Sequence, residues 1–159
     1  MENIATIIKF QAVFRGFLAR RNTAFIMNQK RADSRYFTLD ESRETVSKSI
    51  YDPNAKREKR ATYQFKTGAT YDGEWIGGFR DGFGIQQWPD GARYDGSYVL
   101  GKKHGIGKFT WADGSTYYGN FEENNIQGNG KYNWADGRVF EGSWYNNKME
   151  GQGVFTWPD

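Results

Sequence analysis

The residues best suited to binding a partner lie in the first thirty positions, where bulky apolar side chains are interspersed with basic ones. Gly16 is the only Gly or Pro between Asn3 and Lys30. Apolar residues recur there every three or four positions, which places them on one face of an α-helix; they are Ile7, Phe10, Phe14, Phe17 and Leu18. Basic residues flank that face, namely Lys9, Arg15, Arg20 and Arg21. A basic amphipathic helix suits an acidic groove with apolar walls. We therefore expect one long helix over residues 1–30 and a protein partner for it.

The segment FQAVFRGFLARR, residues 10–21, resembles the IQ motif. Phe stands where Ile is usual, and Gln, Arg-Gly and Arg follow at the spacing of the motif. The resemblance implies binding of calmodulin or a related EF-hand protein. It implies that Gln11 meets a semi-open lobe and that Gly16 lets the other lobe approach. Calcium would enter only through that partner, changing the grip rather than switching binding on. The implied EF-hand-binding residues are Phe10, Gln11, Phe14, Arg15, Gly16, Leu18, Arg20 and Arg21. The sequence leaves open an amphipathic helix that packs on its own chain or on a neighbour.

Other residues able to do chemistry are few. The chain has no Cys, which excludes disulfides, a cysteine nucleophile and a thiolate metal site. His104 is the one histidine, and the equivalent positions of the other units described below are Asp81, Gln127 and Glu150, so no ligand set repeats. The Gly-x-Gly pairs do not open a helix, so they are not phosphate loops. We expect neither enzymatic activity nor a cofactor.

Residues 61–159 repeat with a period of 23 residues. Units begin at residues 71, 94, 117 and 140, and a half unit over residues 61–70 precedes them. The first position of each unit is aromatic: Tyr71, Tyr94, Tyr117 and Phe140. Glycines also recur at equivalent positions of successive units, here called columns. One further column is aspartate, and its members are Asp90, Asp113, Asp136 and Asp159. Regular self-similarity of this kind is typical of a repeat architecture.

Each unit predicts two short antiparallel strands. The stretch YDGEW alternates in period two, and the connections are too short for a crossover. A three-residue loop Pro89-Asp90-Gly91, a type I turn ending in a left-handed glycine, keeps all aromatic columns on one face. This loop predicts pairs within and between units. The aromatic pairs are Tyr63–Tyr71, Phe109–Tyr117 and Tyr132–Phe140; the others are Trp88–Ala92, Gln86–Tyr94, Gly84–Gly96, Gly107–Gly119 and Gly130–Gly142. Paired glycines are expected to leave a trough in which rings lie over bare backbone.

The pattern YxGxW, GxG and W-x-DG resembles the MORN repeat over residues 61–159. The resemblance implies a single-layer antiparallel β-ribbon, here of about nine strands, that acts as a scaffold rather than as an enzyme. Members occur in membrane contact-site proteins, lipid kinases, parasite cortical rings and ciliary radial spokes. We expect the aromatic face to remain available to a partner. Its predicted residues are Tyr71, Trp75, Trp88, Tyr94, Tyr98, Phe109, Trp111, Tyr117, Trp134, Phe140 and Trp144.

A charged linker over residues 31–60 joins the two parts. Residues 1–60 carry 13 Lys/Arg and 7 Asp/Glu, against 9 and 12 in residues 61–159. The linker has no sustained period, and Tyr36, Phe37 or Ile50 is expected to dock on the aromatic trough.

The sequence thus predicts a mostly β protein with a long N-terminal helix, acting as a noncatalytic adaptor. The helix would recruit calmodulin or a related EF-hand protein, and the ribbon would dock on a cytoskeletal assembly in the cytoplasm, by analogy a ciliary axoneme. The alternative is a scaffold at the cell cortex or membrane periphery. There a patch of Lys102, Lys103 and Lys108 would meet anionic lipid, although the acidic balance of the ribbon opposes this. Nucleic acid is not expected, because the basic residues lie away from an exposed aromatic platform.

Overall fold

The computed structural model describes residues 6–9, 35–37, 40–46, 52 and 54–158. These residues contain eleven β-strands and the helix α1 (Asp40–Val46). The strands are β1 (Thr6–Lys9), β2 (Glu58–Lys59), β3 (Tyr63–Gln64), β4 (Thr70–Ile76), β5 (Phe79–Gln87), β6 (Arg93–Val99), β7 (Lys102–Thr110), β8 (Thr116–Glu122), β9 (Asn125–Asn133), β10 (Val139–Tyr145) and β11 (Lys148–Thr156). Within the described ranges, no helix is long and apolar enough to cross a membrane.

All eleven strands belong to one antiparallel sheet. From β4 to β11 each strand pairs with its neighbours in sequence, as the short connections require. Strands β2 and β3 both pair with β4, and β1 pairs with β11 at the other end. The predicted mostly β, antiparallel single sheet is confirmed. The expected nine strands are the eight of the repeats and β3, to which the structure adds β1 and β2.

The long N-terminal helix is wrong for residues 6–9, which form β1. The pairing partners are Thr6–Phe155, Ile7–Val154, Ile8–Gly153 and Lys9–Gln152. Two physical effects favour this strand over the helical pattern. The outer edge of β11 would otherwise present unpaired backbone groups, and the run Thr-Ile-Ile is β-branched. The rest of the predicted helix lies outside the described residues.

The connections between repeats have the predicted three-residue geometry. The Trp88 N–H donates to the Ala92 carbonyl at 2.9 Å, and Gly91 has a φ of 91° that side chains disfavour. The Asp90 carboxylate accepts from the Ala92 N–H at 3.1 Å, so this column serves the turn. The predicted pairs of Gln86 with Tyr94 and of the facing glycines are all confirmed. The predicted aromatic pairs are confirmed as well.

Rings lie over the paired glycines, as expected. A Cβ on Gly73 or Gly84 would overlap the ring of Tyr71, whose hydroxyl donates to the Glu74 carbonyl at 2.9 Å. A Cβ on the corresponding glycines would likewise overlap the rings of Tyr94, Tyr117 and Phe140. The glycines are therefore required by close approach of an aromatic ring to the backbone.

Neighbouring repeats are also joined through the tips of the shorter hairpins. The Asn124 N–H donates to the Lys103 carbonyl at 3.0 Å, and its side-chain oxygen accepts from the Lys103 N–H at 2.7 Å. Asn147 makes the same two bonds to Ile126. Each tip is thus bonded to the repeat before it.

Candidate functional site

The eleven predicted aromatic residues all lie in one cluster on one face of the sheet. Nine of them are buried, and Trp88 and Trp134 pack against the rest. Edge-to-face ring pairs recur from unit to unit, with interplanar angles near 90°, as for Tyr94 and Tyr98, whose centroids are 5.2 Å apart. Such pairs stabilise beyond the area that they bury. The expectation that this face stays available is wrong over the first repeats, because the rings cover one another and the chain covers them.

The cover is formed by residues 35–37 and helix α1, together called the covering segment. Tyr36 lies 5.1 Å from Trp88 and 5.4 Å from Phe109, and Phe37 stacks on Phe109 at 5.3 Å. The Tyr36 hydroxyl donates to the Asp90 carboxylate at 2.5 Å, and burial together with this bond raises the pKa of Tyr36 to about 12. The prediction that Tyr36 or Phe37 docks on the trough is confirmed, while Ile50 lies outside the described residues.

Arg80 on β5 anchors helix α1 to the sheet. Its side chain is only 3% exposed and faces the Glu41 carboxylate at 3.3 Å. The guanidinium donates to the Ser42 hydroxyl at 2.8 Å, to the Gln86 side-chain carbonyl at 2.8 Å and to the Gly101 carbonyl at 3.1 Å. Gln86 in turn donates its amide to Glu41. This shared set of bonds satisfies a charge that burial would otherwise make costly.

Lys103 on β7, in the repeat after that of Arg80, also binds the covering segment. Its Nζ is buried among aromatic rings, 5.0 Å from the centre of Phe37 and 5.2 Å from that of Trp88, and it donates to the Tyr36 carbonyl at 2.6 Å. Burial lowers the pKa of Lys103 to about 7, and the nearby charge of Arg80 acts in the same direction. The neutral amine and the ammonium can both donate to the Tyr36 carbonyl.

The role of Arg80 and Lys103 in holding the covering segment was not predicted from the sequence, although the repeat contains a signal for it. The same position of the repeat is Arg80, Lys103, Ile126 and Met149 in turn. The first two units are cationic and the last two apolar. The change within one column marks where the covering segment binds. Because Lys103 is buried, it is not available for the lipid patch predicted with Lys102 and Lys108.

The opposite face of the sheet carries several exposed apolar side chains. Phe83, Ile106 and Tyr118 are 56%, 49% and 60% exposed. Charges on this face are mixed, with Lys131 3.8 Å from Glu141 across neighbouring strands. No group of three His, Asp or Glu residues that could hold a metal occurs in the part of the chain that the structure describes.

The eight predicted EF-hand-binding residues, from Phe10 to Arg21, lie outside the described residues, so their roles stay predictions. What the structure places is the strand just before them. Lys9, the last residue of β1, pairs with Gln152 and precedes Phe10 directly.

Comparison with protein families gives two matches. The model of the MORN repeat matches residues 71–93, 94–116, 117–137 and 140–159, more than half of the chain. The model of the IQ calmodulin-binding motif matches residues 5–23. No curated protein matches the chain.

Proposed function

Because the chain belongs to the MORN-repeat family and carries an IQ calmodulin-binding motif, we propose that it is a noncatalytic scaffold that binds calmodulin or a related EF-hand protein. The observation that carries the proposal is the IQ match over residues 5–23, adjoining a sheet whose aromatic face is filled by its own rings and by Tyr36 and Phe37. A filled aromatic face holds the scaffold together, and it leaves the IQ segment and the exposed face of the sheet for partners.

The IQ segment has the chemistry that an EF-hand groove requires. By the motif, Phe10, Phe14 and Leu18 enter apolar pockets, while Arg15 and Arg20 pair with carboxylates of the lobes. Apolar anchors at this spacing give affinity, and basic flanks give orientation and speed of association. IQ helices commonly hold calmodulin without calcium, so binding is expected in the presence of a chelator.

Calmodulin titration in chelator tests this proposal. We expect the full chain to bind, and the double variant Phe14→Asp, Leu18→Asp to lose binding, because two charges enter apolar pockets. Tyr118→Asp is the matched control, since it places the same charge on an exposed aromatic position of the sheet. Absence of binding by the unaltered chain, or equal binding by the double variant, would refute the proposal.

For the host assembly we propose the cytoskeleton, and within it a ciliary axoneme, on the strength of the family resemblance alone. The exposed face around Phe83, Ile106 and Tyr118 is the docking surface that we expect to be used. Native co-purification from ciliated cells tests this. Recovery of axonemal proteins with the chain, lost on Phe83→Asp and retained on Glu141→Gln, supports it. A purified chain that carries no cytoskeletal protein speaks against it.

The alternative is a membrane-associated scaffold, which the use of MORN repeats at membranes favours. With Lys103 buried, the lysines left to contact anionic lipid are Lys102 and Lys108. Of these, Lys102 forms an ion pair with Glu123 at 2.9 Å. Flotation with vesicles of anionic lipid separates the two proposals. Flotation abolished by Lys108→Glu would favour the membrane role over the cytoskeletal one.

A further inference from the structure

Residues 6–9 are shared by a strand of the sheet and by the IQ match. They form strand β1 on the outer edge of β11, and they lie inside the IQ match over residues 5–23. An EF-hand protein grips an IQ motif as a helix, whereas these four residues are extended and pair with Gln152–Phe155.

The two arrangements cannot coexist because they require different backbone conformations of the same residues. In a helix, N–H groups bond to carbonyls four residues earlier and the chain rises about 1.5 Å per residue. In a strand, the same groups bond to the neighbouring strand and the rise is about 3.3 Å per residue. The first N–H groups of a helix have no partner within it, so the conflict lies in the backbone itself: φ and ψ of one residue cannot be helical and extended at the same time.

We propose that binding of an EF-hand protein to the IQ segment and pairing of β1 with β11 exclude each other. In the free protein the occupant of the outer edge of β11 is the chain's own residues 6–9. In the bound protein those residues join the helix, and the edge of β11 presents an open row of backbone donors and acceptors. The inference rests on the proposed EF-hand binding and adds its regulation. By linkage, whatever stabilises the β1–β11 pair weakens EF-hand binding by the same factor.

A reversible staple tests the exclusion. Ile7→Cys with Val154→Cys places two thiols at directly paired positions of β1 and β11, and the chain has no other cysteine. Facing residues of an antiparallel pair are close enough for a disulfide. Thr110→Cys with Thr116→Cys is the matched control, because these residues face each other across β7 and β8, away from the IQ segment.

Calmodulin in chelator is titrated into each variant before and after reduction. We expect the oxidised Ile7→Cys, Val154→Cys variant to bind at least about tenfold more weakly than its reduced form. The control pair should bind equally in both states. Equal binding by the stapled and reduced forms would overturn the exclusion while leaving the proposed function intact. The exclusion would also be overturned if the control pair formed its disulfide and the Ile7→Cys, Val154→Cys pair did not. No binding by either the unaltered or the reduced chain would instead refute EF-hand binding, and the exclusion with it.

Amide hydrogen exchange gives a second measurement on the unaltered chain. Adding calmodulin should speed exchange in β11, whose outer partner leaves, and leave β8 unchanged, because β8 lies between β7 and β9. Bound calmodulin with unchanged exchange in β11 would overturn the exclusion.

Discussion

Replacing Arg80 with Met tests how far a buried ion pair holds helix α1 on the sheet. The guanidinium is buried and bonds to Ser42, Gln86 and the Gly101 carbonyl beside the Glu41 carboxylate. Met has similar length but no donor, so Glu41 is left as a buried charge without its cation. Removing one partner of a buried pair costs about 3–5 kcal/mol. We expect the free energy of unfolding of Arg80→Met to fall by about that amount.

Urea unfolding followed by tryptophan fluorescence measures the loss. All six Trp residues lie beyond residue 70, so the signal reports on the sheet to which α1 binds. With a slope of about 2 kcal/mol per molar urea, a loss of about 4 kcal/mol lowers the midpoint by about 2 M.

Arg93→Met is the matched control, because it removes an arginine whose partner is in reach of solvent. The Arg93 side chain is 40% exposed and contacts Asp95 at 2.6 Å. Exposed pairs contribute up to about 1 kcal/mol. The double variant Arg80→Met, Glu41→Leu should regain much of the stability, since two apolar side chains replace both charges. Equal midpoints for Arg80→Met and Arg93→Met would refute the reasoning.

Two further predictions concern Lys103 and the glycine trough. Burial lowers the pKa of Lys103 to about 7, while an unfolded lysine titrates near about 10.4. The unfolded chain therefore binds more protons between these values, and the free energy of unfolding rises with pH across that window, by about 1.4 kcal/mol for each unit separating the two pKa values. In Lys103→Met the urea midpoint should increase less from pH 7 to pH 9 than it does in the unaltered chain. An equal increase in the two proteins would contradict this. Gly84→Ala should cost about 3 kcal/mol, because the new Cβ overlaps the Tyr71 ring. Gly114→Ala should cost about 1 kcal/mol from its φ of 86° alone, since its surroundings are open; equal thermal midpoints for the two variants would speak against the trough.

The repeat made the register of the sheet predictable from sequence. Once Gly91 ends a three-residue loop, the pairing of Gln86 with Tyr94 follows, and the same choice fixes every later unit. The side that carries the rings follows from strand alternation. Periodicity therefore determined strand order, loop type and the position of the glycines beneath the rings.

What does not repeat was harder to predict. Docking of Tyr36 depends on Lys103 and Asp90, whose bonds to Tyr36 are not repeated by the described residues at the same positions of the other units. Strand β1 depends on the unpaired edge of β11, a tertiary effect that overrides the helical spacing of Ile7 and its neighbours.

Among the described residues, the hairpin tips bond the third and fourth repeats to the repeat before them, through Asn124 to Lys103 and through Asn147 to Ile126. Stability along the array is then a chain of nearest-neighbour couplings, like that of a zipper. Among the described residues, the first unit is bonded to α1, β2 and β3, whereas the outer strand of the last unit pairs with the four residues of β1. Melting should therefore begin at the β11 end and travel inward, and release of β1 by an EF-hand protein, as proposed, would make that end still less stable.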